Sequence, residues 1–410
     1  MTTSTLVAGG LILVGAIGSA PGLVLLGVFA LATTWLSTVW SRRGLDRVRY
    51  ERLLSRDRAV WGDRVDLVIS IENAKALPLA WLRADDLATP ELTITSTPLV
   101  TSDRPGFVML RNTWSLAPYE AVRRVFHIEA DRRGLYRFDS VRLSVADIFG
   151  RGVARREDPR PATLLVRPRS VPVSSRTGTV VLFGTRRTIR GLVEDPSLFA
   201  GVRPFQRGDP RRRVHERATA RVGRPVSRRL EPSTARQVVI AVDIQTHEGP
   251  AWLLEYDEET VESLAVAAAS LARRLLADGA ACGLAVNAWT YSIERTGFVP
   301  PRPGHDQLPR IADMLARVSS TASISFEHVL GSIPLRAPTG TLVVTLSSRD
   351  PTRFIPALRR LRSTGFEVRH VAIGARASTA ASIASRAGID AVVGRLEPDW
   401  RTCRAFALDG

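Results

Sequence analysis

At 410 residues, 45% hydrophobic and 24% charged, the chain is long enough for two or three domains. With no low-complexity tract, the composition excludes an unfolded polypeptide. The net charge of +17 rests almost wholly on arginine, Lys75 being the only lysine, and it favours acidic partners such as anionic lipid, acidic proteins or nucleic acid. Cys282 and Cys403 have no metal-ligand spacing and exclude a disulfide framework, which suits a reducing cytoplasm.

From Leu6 to Trp40 there is no charged residue, and Pro21-Gly22 divides the run into Leu6–Ala20 and Leu23–Trp40. At roughly 1.5 Å per residue the second segment spans about 27 Å and the first about 22 Å. The expectation over residues 1–45 is a transmembrane helical hairpin. A secretory signal peptide is the rival, and it is opposed by the lack of a basic residue before Arg42. Arg42, Arg43, Arg47, Arg49 and Arg52 follow directly, so the positive-inside bias gives a two-pass protein of the cell membrane with its later domains cytoplasmic. Trp35 and Trp40 fit an interfacial belt, and the bilayer is itself an expected partner.

Residues 46–170 read as an all-β sandwich. Val65–Ile71 is β-branched and bounded by turn residues, and further short runs follow at Leu92–Ile94, Phe107–Leu110, Val122–Ile128, Val141–Val145 and Thr163–Val166. Asp147, Phe149 and Gly150 read as a sandwich corner, and nothing in this region has a catalytic pattern.

Residues 171–235 form a connector and a basic loop. Gly208-Asp209-Pro210 is turn chemistry, with a glycine tolerant of positive φ, an aspartate that caps backbone and a proline that fixes φ. Around it stand Arg203, Arg207, Arg211, Arg212, Arg213 and Arg221, the residues expected to bind a partner, because guanidinium recognises carboxylate and phosphate in two-pronged fashion. The competing reading is structural, with Arg212 and Arg221 paired to acids such as Asp209. Nucleic acid is disfavoured, since no aromatic residues interleave with the arginines. His215-Glu216 makes a poor catalytic dyad, because neighbours on an extended segment point to opposite faces.

Residues 236–410 read as α/β. Val238–Ile244 reads as a strand buried on both faces, apolar through Val242 and ending at Asp243. Helices are expected at Glu258–Asp278, Asp306–Val318, Thr352–Ser363 and Ser378–Ala387. Strands are expected at Cys282–Ala288, Thr341–Leu346, Glu367–Ile373 and Ala391–Val393, with Tyr291–Glu294 as a hairpin partner. This alternation predicts a mostly parallel, doubly wound sheet. No nucleophile elbow, zincin helix or phosphate loop occurs, so no enzymatic activity is expected.

The run Arg203, Phe205, Gly208-Asp209, Arg212-Arg213, Val214-His215 and Ala218-Thr219-Ala220-Arg221 resembles the signature R-x-Y-x-x-G-D-x-x-R-x-I-[DH]-W-x-x-[ST]-A-R. That signature marks the bacterial membrane proteins catalogued as domain of unknown function fifty-eight. Phe205 and Glu216 depart from it, standing for Tyr and Trp, while ADRRGLYRFDSVRL and ADIFGR resemble its R-G-x-Y and D-x-F-G segments. The resemblance implies a von Willebrand factor A-like C-terminal domain. It also implies a scaffold or interaction role beside a MoxR-type AAA+ ATPase in assembling or maturing envelope complexes; a membrane-bound hydrolase or its accessory is the alternative. Such domains hold Mg²⁺ through D-x-S-x-S. Here Asp243 is kept, but Gln245 and His247 replace the serines and Thr246 is out of phase. The expectation is therefore a degenerate site with no metal and no other cofactor. Glu248, Glu255, Asp257, Glu258 and Glu259 stand nearby and read as a solvated helix N-terminus.

Overall fold

The computed structural model describes residues 3–95, 97–146, 153–175, 194–206, 214–232, 236–249, 256–290 and 297–409. The chain divides into two units, Met1–Arg167 and Pro168–Gly410.

The first unit opens with helices α1 (Thr3–Ile17) and α2 (Pro21–Arg43), the latter begun by a proline whose fixed φ suits a first helical turn. Glycines let the two helices approach closely. A Cβ at Gly27 would lie 2.5 Å from Ile12 and 2.8 Å from the Ala8 carbonyl, and one at Gly15 would lie 2.8 Å from the Leu23 Cβ. Over Pro21–Trp40, α2 is long and apolar enough to cross a membrane; the apolar part of α1, Thr5–Ile17, is shorter than such a span.

Ten strands follow: β1 (Val48–Leu54), β2 (Arg58–Val60), β3 (Arg64–Asn73), β4 (Leu79–Ala88), β5 (Thr93–Ile94), β6 (Val100–Thr101), β7 (Val108–Leu116), β8 (Ala121–Glu129), β9 (Gly134–Ala146) and β10 (Val153–Arg167). They form two sheets, ordered β1-β3-β8-β5 and β2-β10-β9-β4-β7-β6, antiparallel throughout except where β2 runs parallel to β10. Alternation explains the core. Val65, Leu67, Ile69 and Ile71 of β3 are buried with Tyr136, Phe138, Leu143 and Val145 of β9 in one cluster. Strand β4 is absent from the sequence expectation because Asp85 and Asp86 break its apolar run, yet both are buried. Asp86 accepts from the Tyr50 hydroxyl at 2.5 Å and from Arg52 Nη1 at 2.6 Å, and Asp85 accepts from Arg111 Nε at 2.8 Å. Burial pushes the Asp86 carboxyl up, with Arg52 pulling it back, and also holds the Tyr50 phenol well above its ordinary value.

The second unit comprises β11 (Val173–Ser175), β12 (Glu194–Pro204), α3 (Glu216–Val222), β13 (Val226–Pro232), β14 (Gln237–Val242), α4 (Glu258–Ala277), β15 (Ala281–Val286), β16 (Ala288–Thr290), β17 (Gly297–Arg302), α5 (Gln307–Arg317), β18 (Val318–Ala322), α6 (Phe326–Ser332), β19 (Leu342–Ser347), α7 (Ile355–Ser363), β20 (Glu367–Ile373), α8 (Ala377–Arg386), β21 (Asp390–Leu396) and β22 (Phe406–Asp409). Its main sheet is ordered β11-β22-β21-β20-β19-β14-β15-β17. Strands β21, β20, β19, β14 and β15 are mutually parallel, while β17 runs antiparallel to β15, and β22 runs antiparallel to β21 but parallel to β11. Counted from β14, the run from β17 to β21 has the order 3-2-1-4-5-6. In that arrangement the winding reverses between β14 and β19, which opens a crevice at their carboxyl ends.

Val239 and Ala241 of β14 pack with Phe326 and Leu330 of α6 and Leu358 of α7. Helix α4, whose buried side chains lie outside that cluster, packs across β14, β15, β19, β20 and β21, so helices cover both faces. Three details differ from the sequence expectation. Strand β11, in the expected connector, is an edge strand of this sheet, paired with β22. The antiparallel partner of β15 is β17, while Tyr291–Glu294 lies outside the described residues. Thr352–Ser363 is not one helix but a 3-10 turn over Pro351–Arg353 followed by α7, which starts at Ile355-Pro356 because proline suits a first turn.

Candidate functional site: a buried ion pair at the sheet's crevice

Three neighbouring strand ends converge at the crevice. Asp243 follows β14, its N–H donating to the Leu346 carbonyl at 2.9 Å; Asn287 follows β15; and Ser347 ends β19, with Arg349 two residues on. Asp243 and Asn287 are fully buried, and the Arg349 side chain is 3% exposed. Both carboxylate oxygens of Asp243 are taken. Oδ1 accepts from Asn287 Nδ2 at 2.7 Å and from the Gln245 N–H at 3.3 Å. Oδ2 accepts from Ser347 Oγ and Arg349 Nε, each at 2.9 Å, and Arg349 Nη2 lies 2.7 Å from it. The frame is cross-braced, since Asn287 Oδ1 accepts from the Ile244 N–H at 2.8 Å and Ser347 Oγ from the Arg349 N–H at 3.1 Å. Burial pushes the Asp243 carboxyl up; Arg349, Ser347 and Asn287 oppose it.

These residues do not fit Mg²⁺, which needs about six oxygens in near-octahedral array with little tolerance for a neighbouring cation. The cation beside Asp243 is instead the Arg349 guanidinium. Gln245 donates through Nε2 to the carbonyls of His247 and Gly249 at 3.1 and 2.6 Å, so its amide closes its own loop. His247 Nδ1 accepts from the Gly249 N–H at 3.1 Å, and Thr246 Oγ1 accepts from the Asp257 N–H at 2.8 Å. Asp257 caps α4 by accepting from the Glu259 N–H at 3.1 Å, and Glu259 itself binds Trp400 Nε1 at 2.8 Å and Arg401 at 2.6 Å. Glu255 lies outside the described residues, among which no group of three or more histidine, cysteine or acidic side chains is placed to hold a metal.

Of the expected partner-binding residues, Arg207, Arg211, Arg212 and Arg213 lie outside the described residues, as do Gly208 and Asp209. Arg203, in β12, faces Ser227 of β13 and donates from Nη1 to the Pro204 carbonyl at 3.2 Å. His215 is the N-cap of α3, its Nδ1 accepting from the Ala218 N–H at 3.2 Å, so Glu216 begins a helix rather than continuing an extended segment. Helix formation here follows from that cap and from Gly223, whose φ of 70° closes the C-terminus. Arg221 sits exposed in the last turn, where a cation complements the helix dipole. Thr219 Oγ1 accepts from the Val226 N–H at 3.0 Å, and the His215 N–H donates to the Val226 carbonyl at 2.8 Å, which binds α3 to the β12–β13 ribbon. Among the described residues, the side-chain partners of Asp243 come from the ends of β15 and β19 and not from this ribbon.

Sequence reasoning missed Arg349, Asn287 and Ser347. A usable signal was Ser347-Ser348-Arg349-Asp350, a polar and charged run that closes a buried, mostly apolar strand.

No curated protein matches the chain. Among solved structures, a CARDB domain from Pyrococcus furiosus is 13% identical over 29% of this chain and 84% of that one, with a TM-score of 0.18. A cohesin module of a family 33 glycoside hydrolase from Clostridium perfringens is 11% identical over 29% of this chain and 96% of that one, with a TM-score of 0.21. Alpha-2-macroglobulin from Escherichia coli is 19% identical over 30% of this chain and 17% of that one, with a TM-score of 0.22. Likeness at this level carries no argument about fold or activity. Residues 201–346, which contain α3, β14 and both Asp243 and Asn287, match the family described as protein of unknown function DUF58.

Proposed function

We propose that the protein is a two-pass, membrane-anchored interaction module whose soluble units lie in the cytoplasm, with a von Willebrand A-like domain that works without metal. Its partner on this reading is a MoxR-type AAA+ ATPase acting in assembly or maturation of envelope complexes. The observation that carries the reading is the buried Asp243–Arg349 pair. It fills the crevice where an open α/β sheet ordinarily takes a ligand, and so moves recognition to the charged surface. The strand order around β14 and the position of Asp243 at its end support the von Willebrand A-like assignment. The apolar length of α2 and the arginines that follow it support the anchor.

Capture of the ATPase from detergent-solubilised membranes tests the proposal. Binding is expected to survive EDTA, to weaken with added salt as exposed charges are screened, and to weaken in Arg211→Ala and Arg213→Ala. Low-micromolar Mg²⁺ binding by calorimetry that disappears in Asp243→Ala would overturn it.

A further inference from the structure

Where α2 ends, its last turn and the following loop face strand β10 across an open cleft of about 730 Å³, lined by Arg42, Asp46, Arg47, Arg155 and Arg156 among others. That volume lies within the range of about 300–1,000 Å³ that small-molecule sites occupy. The floor is built rigidly. Arg156 donates from Nη1 to the Leu45 carbonyl at 2.9 Å, and from Nη2 to the Val48 carbonyl and to Asp158, both at 2.8 Å. These bonds engage the carbonyls of Leu45, just after α2, and of Val48, the first residue of β1, and so fix the loop between them against β10. Arg47 is held in the left-handed region at φ 51°, uncommon for a residue with a Cβ, and its carbonyl is pinned by the Ala74 N–H at 3.0 Å.

Three cations remain. Arg42, Arg47 and Arg155 are exposed, and their side chains make no ion pair or hydrogen bond among the described residues. Asp46 is the one carboxylate among the lining residues. Its attraction for Lys75 is opposed by Arg156, and burial is the main cause that lowers Lys75 to about 8. Arg42 stands two residues beyond Trp40, the end of the apolar span, which is about 3 Å along a helix axis. The cleft therefore lies at the depth where lipid phosphates begin.

We infer that this cleft binds the phosphate headgroup of an anionic glycerophospholipid, with Arg42, Arg47 and Arg155 as its ligands and Arg156 as the positioning residue beneath them. Guanidinium matches phosphate geometry, and a basic pocket on the cytoplasmic side of a span is where such headgroups dock. The inference rests on reading α2 as a membrane span.

The test uses the full chain in a neutral detergent, with thermal stability followed as phosphatidylglycerol, phosphatidylcholine or glycerol 3-phosphate is added. Phosphatidylglycerol alone is expected to stabilise. Its apparent affinity should fall about fivefold for each arginine removed in the series Arg42→Gln, Arg47→Gln and Arg155→Gln, that being the weight of one arginine near an anionic surface. A control lacking Arg310, Arg353 and Arg360 should respond like wild type. Equal stabilisation by glycerol 3-phosphate would reassign the cleft to a soluble phosphate and overturn the lipid. Equal responses to both lipids, or equal losses in the cleft and control variants, would overturn the site itself. Carbonate extraction of membranes separates the two readings. Release of the protein defeats the span, whereas retention without phosphatidylglycerol selectivity defeats only the headgroup site.

Discussion

At the scale of single residues, the Asp243–Arg349 pair is held by geometry that permits no half measure. Removing one partner from a buried, hydrogen-bonded ion pair leaves an unpaired charge and typically costs about 3–5 kcal/mol, whereas an apolar pair of similar volume can be near neutral. Asp243→Ala and Arg349→Ala are each expected to lose stability in that range by chemical denaturation. The double variant Asp243→Leu with Arg349→Met should lose clearly less than the two single losses added together. His370 is a second case. It is fully buried, with Nδ1 3.0 Å from Thr345 Oγ1, and burial lowers its pKa to about 4. Its neutral form is thus the one the fold accepts. The unfolded chain protonates first as pH falls below about 6.5, so stability is full above that value and drains away toward pH 4, by roughly 3 kcal/mol in all. His370→Phe should flatten this limb of the melting-temperature profile between pH 6.5 and 4, whatever its effect at pH 8.

Among elements, the pairing of α1 with α2 depends on what is missing from Gly15 and Gly27. Small residues let apolar helices approach until their backbones nearly touch, and an added side chain must force them apart. Gly27→Leu, whose Cβ would meet Ile12 and the Ala8 carbonyl, is expected to cost about 1–3 kcal/mol as overpacking does. Limited proteolysis in detergent should then cut residues 1–20 faster. Gly22→Leu, with nothing within 4 Å of its Cβ, should leave the cutting rate unchanged.

Over the whole molecule, charge and hydropathy divide the labour. The net +17 is spread along the chain after a charge-free first forty residues, which favours one face of a membrane for everything that follows. Fusion of alkaline phosphatase after Gly410 is expected to stay inactive while a fluorescent protein at the same point lights up. The opposite pattern would place the C-terminus outside.

The chain alone made legible what short-range pattern controls. The β-branched alternation of β3, the apolar run of β14 and the amphipathic period of α4 can each be read in order, because burial on one face or two leaves a period of 2, a solid block or a period of 3.6. It likewise placed Asp243 at the end of an apolar strand, where a sheet opens its crevice. Tertiary structure decided what surrounds that aspartate. Arg349 lies more than a hundred positions away in sequence, and only the parallel pairing of β14 with β19 sets its guanidinium against Oδ2. Strand β4 stayed hidden for the same reason, since the partners that make Asp85 and Asp86 tolerable in a buried strand, Tyr50, Arg52 and Arg111, arrive from other strands. A buried charge is tolerable only with its partner, and no local pattern records a partner supplied by a distant strand.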